Sequence, residues 1–285
     1  MLNSFLFIIP LTPKTHLTPL RSSLRQLCFN ALATQTYGNW KAMLIGYTTE
    51  EEKLHENFIL VNYEGAKEEK LQIATQYILE QNLHCDYIIR LDDDDIFNPT
   101  LLTELANRTF DLFTDKYHTF LDVSTGLLTQ QVLYWFPNSC ILAKKHALTV
   151  FGVYPPEDQG KSYKKFKELA FLIENGHADF HFYFNANHTI LFANKNNPAY
   201  VRTLYPDSHS STFSGGHEKF MNNFGDWRKN TFQAFQFLKG FPKIISPLSS
   251  GKSQGLNALL KNRLANLRAA LNYEKVVIKN NTERK

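Results

Sequence analysis

Short apolar segments alternate with helical patterns over the first hundred residues, and this alternation constrains the fold more than any other feature of the chain. Four apolar segments have the length of buried strands: Leu6–Pro10, Lys41–Ile45, Phe58–Val61 and Tyr87–Leu91. Apolar residues recur at helical spacing between them, from Pro19 to Thr34 and again from Leu71 to Leu79. Strands that alternate with helices in this way build βαβ units. We therefore predict an α/β fold with a Rossmann-like, mostly parallel central sheet flanked by helices.

The pattern becomes less regular after residue 100. It predicts helices over 101–107 and 163–174, and strands over 118–123, 132–136, 139–143, 179–184, 189–193 and 200–205. Ser, Gly, Asn and His dominate residues 206–230, which we predict to form a mobile loop. We expect residues 1–105 and 106–240 to be two halves of one domain, followed by a C-terminal helical extension over 241–285.

The composition is that of a folded chain, with 43% hydrophobic and 20% charged residues over 285 positions. Cys28, Cys85 and Cys140 are far apart, which excludes a disulfide scaffold and a cysteine-based zinc site and predicts buried, reduced thiols. No apolar segment has the length of a membrane span. The N-terminal apolar segment is too short for a signal peptide and ends at Pro10, so we expect a cytoplasmic protein.

Basic residues are concentrated at the C-terminus. The whole chain carries a net charge of +4, but residues 252–285 carry +6, which leaves −2 for the remainder. Leucines recur at helical spacing over 254–275, between these lysines and arginines. Such a helix either packs on the domain or lies on the inner face of an anionic membrane, near a lipid-linked acceptor. We expect no nucleic-acid partner, because no recognition motif accompanies the charge.

Four consecutive aspartates, Asp92 to Asp95, directly follow the strand that ends at Leu91. Carboxylates this close repel one another, and the strand before them and the helix after Pro99 keep them together. A divalent cation with oxygen ligands would relieve the repulsion, and the carboxyl end of a strand is where open α/β sheets bind ligands. The alternative is an acidic turn that caps the next helix, but one or two aspartates would suffice for that.

An all-oxygen site favours Mg²⁺ or Mn²⁺ over zinc. These ions usually bridge one or two carboxylates to substrate phosphates and neutralise the charge of a departing diphosphate. A nucleoside-diphosphate substrate is therefore the leading inference from the quartet. Lys67, Lys70 and Arg90 could approach the diphosphate. Lys70 is the best placed of the three, because it lies near the start of a helix.

Two segments resemble family-2-like glycosyltransferases with the glycosyltransferase-A fold. The run from Tyr87 to Pro99, YIIRLDDDDIFNP, is similar to that family's strand, DxD motif and proline-started helix. The run from Leu24 to Lys41, LRQLCFNALATQTYGNWK, is similar to its helix, turn and strand. The RLDDDD form most resembles bacterial rhamnosyltransferases. The resemblance covers residues 4–105 and implies an inverting hexosyl or deoxyhexosyl transferase of surface polysaccharide synthesis that uses Mn²⁺ or Mg²⁺ and a nucleotide-sugar donor.

The resemblance also implies roles for individual residues. Asp94 would bind the metal, Asp92 the metal or the donor ribose, and Asp95 matches a third acidic position. Asp93, which lies between Asp92 and Asp94 in the sequence, is a further candidate contact for the donor. Further candidate donor contacts are Pro10, Leu11 and Thr12, which follow the first strand, and Tyr47, which could stack on the base. The family's base-reading acidic residues are absent after the second strand, where the chain has Ile45-Gly46-Tyr47-Thr48, so the identity of the base is open.

The candidates for the general base, and for the metal and phosphate contacts from the second half of the chain, are less sharply defined. In the family, a Glu-Asp pair often precedes a helix, and here Glu157-Asp158 does so, with Asp158 favoured as the base. Asp122, at the end of a predicted strand, is a second candidate. The resemblance further implies His209 as a metal ligand and Arg202 as its phosphate-binding partner.

Other function classes remain open at this stage. A nucleotidyltransferase or a phosphohydrolase could use the same acidic cluster, and so could a carbohydrate-binding protein without catalysis. Residues 10–21 contain no glycine-rich phosphate loop, and Ile96 stands where a haloacid-dehalogenase-type phosphatase needs Thr or Val. The sugar, the acceptor and the stereochemical outcome are not determined by these residues.

Overall fold

The structure, a computed structural model, describes residues 2–49, 52, 54–132, 139–151, 184, 187–208, 216–223, 230–231 and 235–240. The strands within these ranges are β1 (Phe5–Pro10), β2 (Trp40–Ile45), β3 (Phe58–Val61), β4 (Tyr87–Arg90), β5 (Ile96–Phe97), β6 (Leu112–Thr114), β7 (Tyr117–Asp122), β8 (Leu127–Val132), β9 (Ile141–Ala143), β10 (Ile190–Phe192), β11 (Tyr200–Leu204) and β12 (Asn230–Thr231). The α-helices are α1 (Pro19–Ala33), α2 (Lys67–Glu80), α3 (Leu101–Leu105), α4 (Lys144–Val150) and α5 (His217–Asn223). Two 3₁₀ helices lie at Lys14–His16 and Gln236–Gly240.

The central sheet has seven strands in the order β10-β6-β9-β4-β1-β2-β3. All neighbouring pairs are parallel except those of β9, which runs antiparallel to β4 and β6. The predicted α/β fold with a mostly parallel central sheet is therefore confirmed. Strands from both predicted halves of the domain share this sheet, because β6, β9 and β10 come from the second half.

Strand β1 shows why the sheet is covered on both faces. Its side chains alternate between two cores, with Phe5 and Phe7 packed on the side of α1 and Leu6 and Ile8 on the side of α2. All six residues of β1 are buried, as expected for a strand between two helical layers. Each fully buried side chain of this kind contributes about 1.5–3 kcal/mol to folding.

A second sheet of five strands has the order β12-β8-β7-β11-β5. Its strand β5 follows the four aspartates directly and pairs antiparallel with the start of β11, where Ile96 lies opposite Val201. The aspartates therefore lie between the end of β4 in one sheet and the start of β5 in the other.

Several elements differ from their predictions. Residues 206–230 are not wholly a loop, because α5 and the start of β12 lie within them. Strand β8 (Leu127–Val132) was not predicted, and residues 133–136 of the strand predicted at 132–136 lie outside the described residues. Two further elements, β6 and α4, were not predicted. Strand β6 has only three residues, too few for an alternating pattern, and α4 begins directly after β9 without a side-chain cap. The helix predicted at 163–174, most of the strand at 179–184 and the C-terminal extension lie outside the described residues.

The predicted state of the cysteines is confirmed, because all three are buried and none forms a disulfide. In the described ranges, no helix combines the length and the apolar character that a bilayer crossing requires.

Asp115 connects the turn after β6 to the start of β11. Its two carboxylate oxygens lie 3.0 and 3.1 Å from the backbone nitrogen of Ala199, which donates to them, and the backbone N–H of Tyr200 is a further donor. Burial raises the pKa of this carboxyl to about 7, and the two backbone donors only partly offset that rise. Asp115 is therefore a titrating group that lies in the interior rather than in a solvent-exposed cluster.

Asp115→Asn should change how stability depends on pH. The folded protein binds a proton at Asp115 up to about pH 7, whereas the unfolded chain releases it near pH 4, so the wild-type free energy of unfolding falls between those values. The variant lacks this titration, so its free energy of unfolding should rise relative to that of the wild type over the same pH range, by up to roughly 4 kcal/mol. Urea unfolding at pH 4.5 and 7.5 measures the difference, and a constant offset between the two proteins would contradict the prediction.

Candidate active site

A cavity of about 270 Å³ opens at the carboxyl ends of β1 and β4, which are neighbours in the central sheet. Sixteen residues line it: Pro10, Leu11, Thr12, Pro13, Arg21, Gly65, Ala66, Lys67, Lys70, Asp92, Asp93, Asp94, Asp95, Arg202, Thr203 and Ser208. The structure thus brings together ten residues considered in the sequence analysis, namely Pro10, Leu11, Thr12, Lys67, Lys70, the four aspartates and Arg202. This edge of an open α/β sheet is the usual position of a ligand site.

Asp92 is held by cations of the chain itself. Its Oδ1 lies 2.6 Å from Nζ of Lys67 and 3.8 Å from a terminal nitrogen of Arg90. Burial alone would raise the pKa of Asp92, but the two positive charges outweigh burial and hold the pKa well below its usual value. Asp92 is therefore a carboxylate at neutral pH.

Asp93 joins the quartet to the loop after β1. Its oxygens accept hydrogen bonds from the Thr12 backbone at 2.7 Å, the Thr12 hydroxyl at 2.9 Å and Nε of Arg25 at 2.9 Å. Arg25 is fully buried and also contacts the Thr12 carbonyl at 2.6 Å and Glu52 at 3.1 Å. Asp93 is therefore engaged from several directions, and its position fixes the loop that borders the cavity.

Asp94 and Asp95 are held from β11 and the segment after it. The hydroxyl of Tyr205 donates to Oδ2 of Asp94 at 2.8 Å, and the backbone nitrogen of Thr203 donates to Asp95 at 3.0 Å. Burial and the neighbouring carboxylates raise the pKa of both groups, that of Asp95 well above its usual value. Arg21, 3.4 Å from Asp94, and Arg202, beside Asp95, oppose these rises.

Cations of the chain itself therefore relieve part of the repulsion expected within the quartet. Arg21, Arg25, Lys67, Arg90 and Arg202 all interact with these aspartates. Within the described ranges, no three His, Cys, Asp or Glu side chains form a cluster suited to a metal ion. Crowding alone does not call for a metal here.

Asp94 nevertheless fits a divalent ion that is shared with a substrate. Its contacts with Tyr205 and Arg21 both engage Oδ2, so that, as far as the described residues go, Oδ1 can accept a ligand. Mg²⁺ and Mn²⁺ often take only one or two protein carboxylates when phosphate oxygens and water complete the shell. Asp94 therefore suits such an ion better than Asp92, which holds Lys67, or Asp95, which is buried against Thr203.

Lys70 and Tyr47 have different positions. Lys70 is buried in the cavity wall, where Nζ donates to the carbonyl of Leu11 at 2.8 Å, and burial lowers its pKa. Tyr47 does not line the cavity; its ring is 40% exposed, with Nζ of Lys14 at 5.8 Å from the ring centroid. Base stacking by Tyr47 stays a prediction.

Of the predicted general bases, only Asp122 lies within the described residues, and it is not among the residues that line the cavity. Asp122 is buried at the end of β7, where it accepts hydrogen bonds from Ser124, Thr125 and, at 3.0 Å, from His217 of α5. Burial would raise its pKa, but these donors lower it, which makes Asp122 a weak base. Its placement favours a structural link between β7 and α5. Glu157, Asp158 and His209 lie outside the described residues, and their roles stay predictions.

Sequence reasoning missed four residues that hold the aspartates in place: Arg21, Arg25, Thr203 and Tyr205. A signal existed for the arginines, because Arg21 and Arg25 share one face of α1 with Cys28 and Leu32, and an arginine on a buried helix face needs a carboxylate partner. No local signal marks Thr203 and Tyr205, because their partners are more than 100 residues away.

Comparisons with known proteins give distant structural similarity. No family model and no curated protein matches the sequence. Staphylococcus aureus TarS 1–349 in complex with UDP-GlcNAc is 14% identical at a TM-score of 0.45, with 77% of this chain and 64% of that one covered. The apo form of glycosyltransferase GlyE from Streptococcus pneumoniae TIGR4 is 12% identical at a TM-score of 0.37, with 76% and 59% covered. The chain thus spans about 60% of the length of these proteins, and at this similarity they carry no argument about its activity.

Arg25→Met should destabilise the protein strongly. The substitution leaves Asp93 and Glu52 buried without their main cation, and breaking a buried ion pair on one side typically costs about 3–5 kcal/mol. Arg25→Lys should recover only part of the loss, because one ammonium cannot replace a planar fork that meets three partners. Chemical denaturation measures both values. Arg108→Met, at an exposed arginine, is the matched control, and a loss at Arg25 no larger than the loss at Arg108 would refute the prediction.

Proposed function

We propose that this protein is a glycosyltransferase that moves a sugar from a nucleoside-diphosphate donor to a hydroxyl of a glycan or lipid-linked acceptor, with Mn²⁺ or Mg²⁺ as cofactor. One observation carries the proposal: a cavity at the carboxyl edge of the sheet presents cationic groups and carboxyl groups side by side. A nucleotide sugar has complementary chemistry, since its diphosphate is anionic and its ribose and sugar carry hydroxyl groups.

The cationic groups suit the diphosphate. Lys67, Lys70 and Arg202 line the cavity, and Lys67 is the first residue of the 14-residue helix α2. The first turn of a helix presents unpaired N–H groups and a partial positive charge, both of which favour phosphate oxygens. Burial alone would lower the pKa of Arg202, but the neighbouring carboxylates raise it, so Arg202 stays positively charged in the cavity.

The carboxylates suit the metal and the donor hydroxyls. Asp94 would hold the ion, oriented by Tyr205 and Arg21, and Asp92 would accept a hydrogen bond from the ribose or share the ion. When bound, a divalent ion neutralises the charge that develops on the departing diphosphate. Thr12 and Leu11, fixed through Asp93 and Lys70, would border the nucleoside.

The finer features of the proposal rest on the sequence resemblance. They are inverting transfer of a hexosyl or deoxyhexosyl group such as rhamnose, with Asp158 or Glu157 as the base, and a role in bacterial surface polysaccharide synthesis. His209 would add a metal ligand. The basic C-terminal segment would bring the enzyme to the inner face of the membrane, and the protein would be cytoplasmic.

Asp94→Asn should abolish the metal-dependent part of donor binding. At a nucleotide-sugar concentration of a hundred times Kd, the wild-type protein should gain about 2.7 kcal/mol of stability, which raises Tm by several degrees. The full gain should require Mn²⁺. The variant keeps the size of the side chain but loses its charge, so we expect transfer to fall by at least about a hundredfold, since more than 2.7 kcal/mol of charge stabilisation is lost. A screen of nucleotide sugars by thermal shift, followed by assay of released nucleoside diphosphate, measures both effects.

Glu68→Gln is the control, because it removes one exposed carboxylate from the first turn of α2 outside the cavity lining. Release of inorganic phosphate or pyrophosphate instead of nucleoside diphosphate would identify a phosphohydrolase or a nucleotidyltransferase. Intact metal-dependent transfer in Asp94→Asn would exclude the proposed role of Asp94.

A further inference from the structure

We propose that Lys67 is a displaceable counter-ion, which occupies Asp92 when the cavity is empty and moves to the diphosphate when the donor binds. The inference rests on the proposed function and extends it to the order in which charges are exchanged. It explains why a cavity suited to a carboxylate-bound ion already holds an ammonium group on one of its carboxylates.

The contact between Lys67 and Asp92 is close but exposed. At 2.6 Å it is shorter than the ion pairs that the quartet makes with Arg25, at 2.9 Å, and Arg21, at 3.4 Å. The Lys67 side chain is 39% exposed, whereas those of Arg25, Arg90 and Arg21 are 0%, 11% and 20% exposed. Of these four cations, Lys67 can therefore leave its partner with the least disturbance of packing.

The other cations are anchored more firmly. Arg25 contacts Asp93, Glu52 and the Thr12 carbonyl at once, and Lys70 donates to the Leu11 carbonyl from a buried position. Within the described part of the chain Lys67 makes one ion pair, and it has a flexible four-carbon stem and a place at the start of α2, so a change of rotamer is enough to redirect its ammonium group.

The exchange follows from electrostatics. A divalent ion and an ammonium group cannot both occupy Oδ1 of Asp92, so Lys67 excludes the ion from this carboxylate in the empty protein. A diphosphate in the same cavity offers Lys67 several anionic oxygens, and the ammonium group then leaves Asp92. Lys67 therefore makes the binding of metal and diphosphate mutually favourable, which is a coupling between two ligands through one side chain.

Lys67→Met tests the exchange because it should move two affinities in opposite directions. Mn²⁺ alone, measured from the electron paramagnetic resonance signal of the free ion, should bind about fivefold tighter, the factor for a partly exposed ion pair. Inorganic pyrophosphate without metal, measured by calorimetry, should bind about fivefold weaker or more, because a cation of the cavity is lost. Pyrophosphate is chosen because it carries no base or sugar.

Two control variants separate the local exchange from a change of net charge. Lys67→Arg keeps a cation on Asp92 and should bind Mn²⁺ as weakly as the wild type. Lys41→Met removes one exposed charge at the opposite end of the sheet and should change neither affinity. If wild-type protein binds pyrophosphate but Lys67→Met weakens or preserves both affinities, the exchange is wrong and the proposed function stands. If wild-type protein and Lys67→Met bind neither probe, both proposals fail.

Discussion

The buried pair of Arg25 and Asp93 is the interaction on which the rest of the site depends. It joins helix α1, the loop after β1 and the segment after β4, three parts of the chain that local forces alone would not align. A buried ion pair gains little net stability over an apolar pair of the same size, because both charges lose their water. We therefore regard its value as geometric: it fixes where Thr12 and the other three aspartates lie.

The cavity combines cations and carboxyl groups that are already paired with one another. Their positions are fixed because Arg25 and Arg21 each contact more than one partner, in directions set by α1 and the loop after β1. Such a preorganised arrangement suits a substrate whose own charge is distributed over a diphosphate, since the protein does not have to reorganise its dipoles when that charge moves. The partly exposed Lys67 is the exception, because within the described residues it is held by a single ion pair.

Much of the fold and part of the site were predictable from the sequence, for reasons that differ by residue. The strands around Phe7 and Ile89 are visible as continuous apolar segments, because burial on both faces requires apolar side chains throughout, whereas helix α1 shows helical periodicity because one of its faces packs on the sheet. The aspartates were visible as a site because four like charges behind a buried strand need partners. The identity of those partners was not visible, since Thr203 and Tyr205 reach Asp95 and Asp94 from 108 and 111 residues away. Helix α5 was hidden by a polar composition that resembles a loop.

The order of the charged residues along the chain also bears on synthesis. Arg21, Arg25 and Lys67 all precede the aspartates, whereas the β11 segment that completes their hydrogen bonds follows much later. A chain that emerges from the ribosome amino end first therefore presents the acidic segment when most of its counter-ions have already been made. These cations can therefore pair with the acidic segment early in synthesis. The complete site forms only after β11 has joined the second sheet.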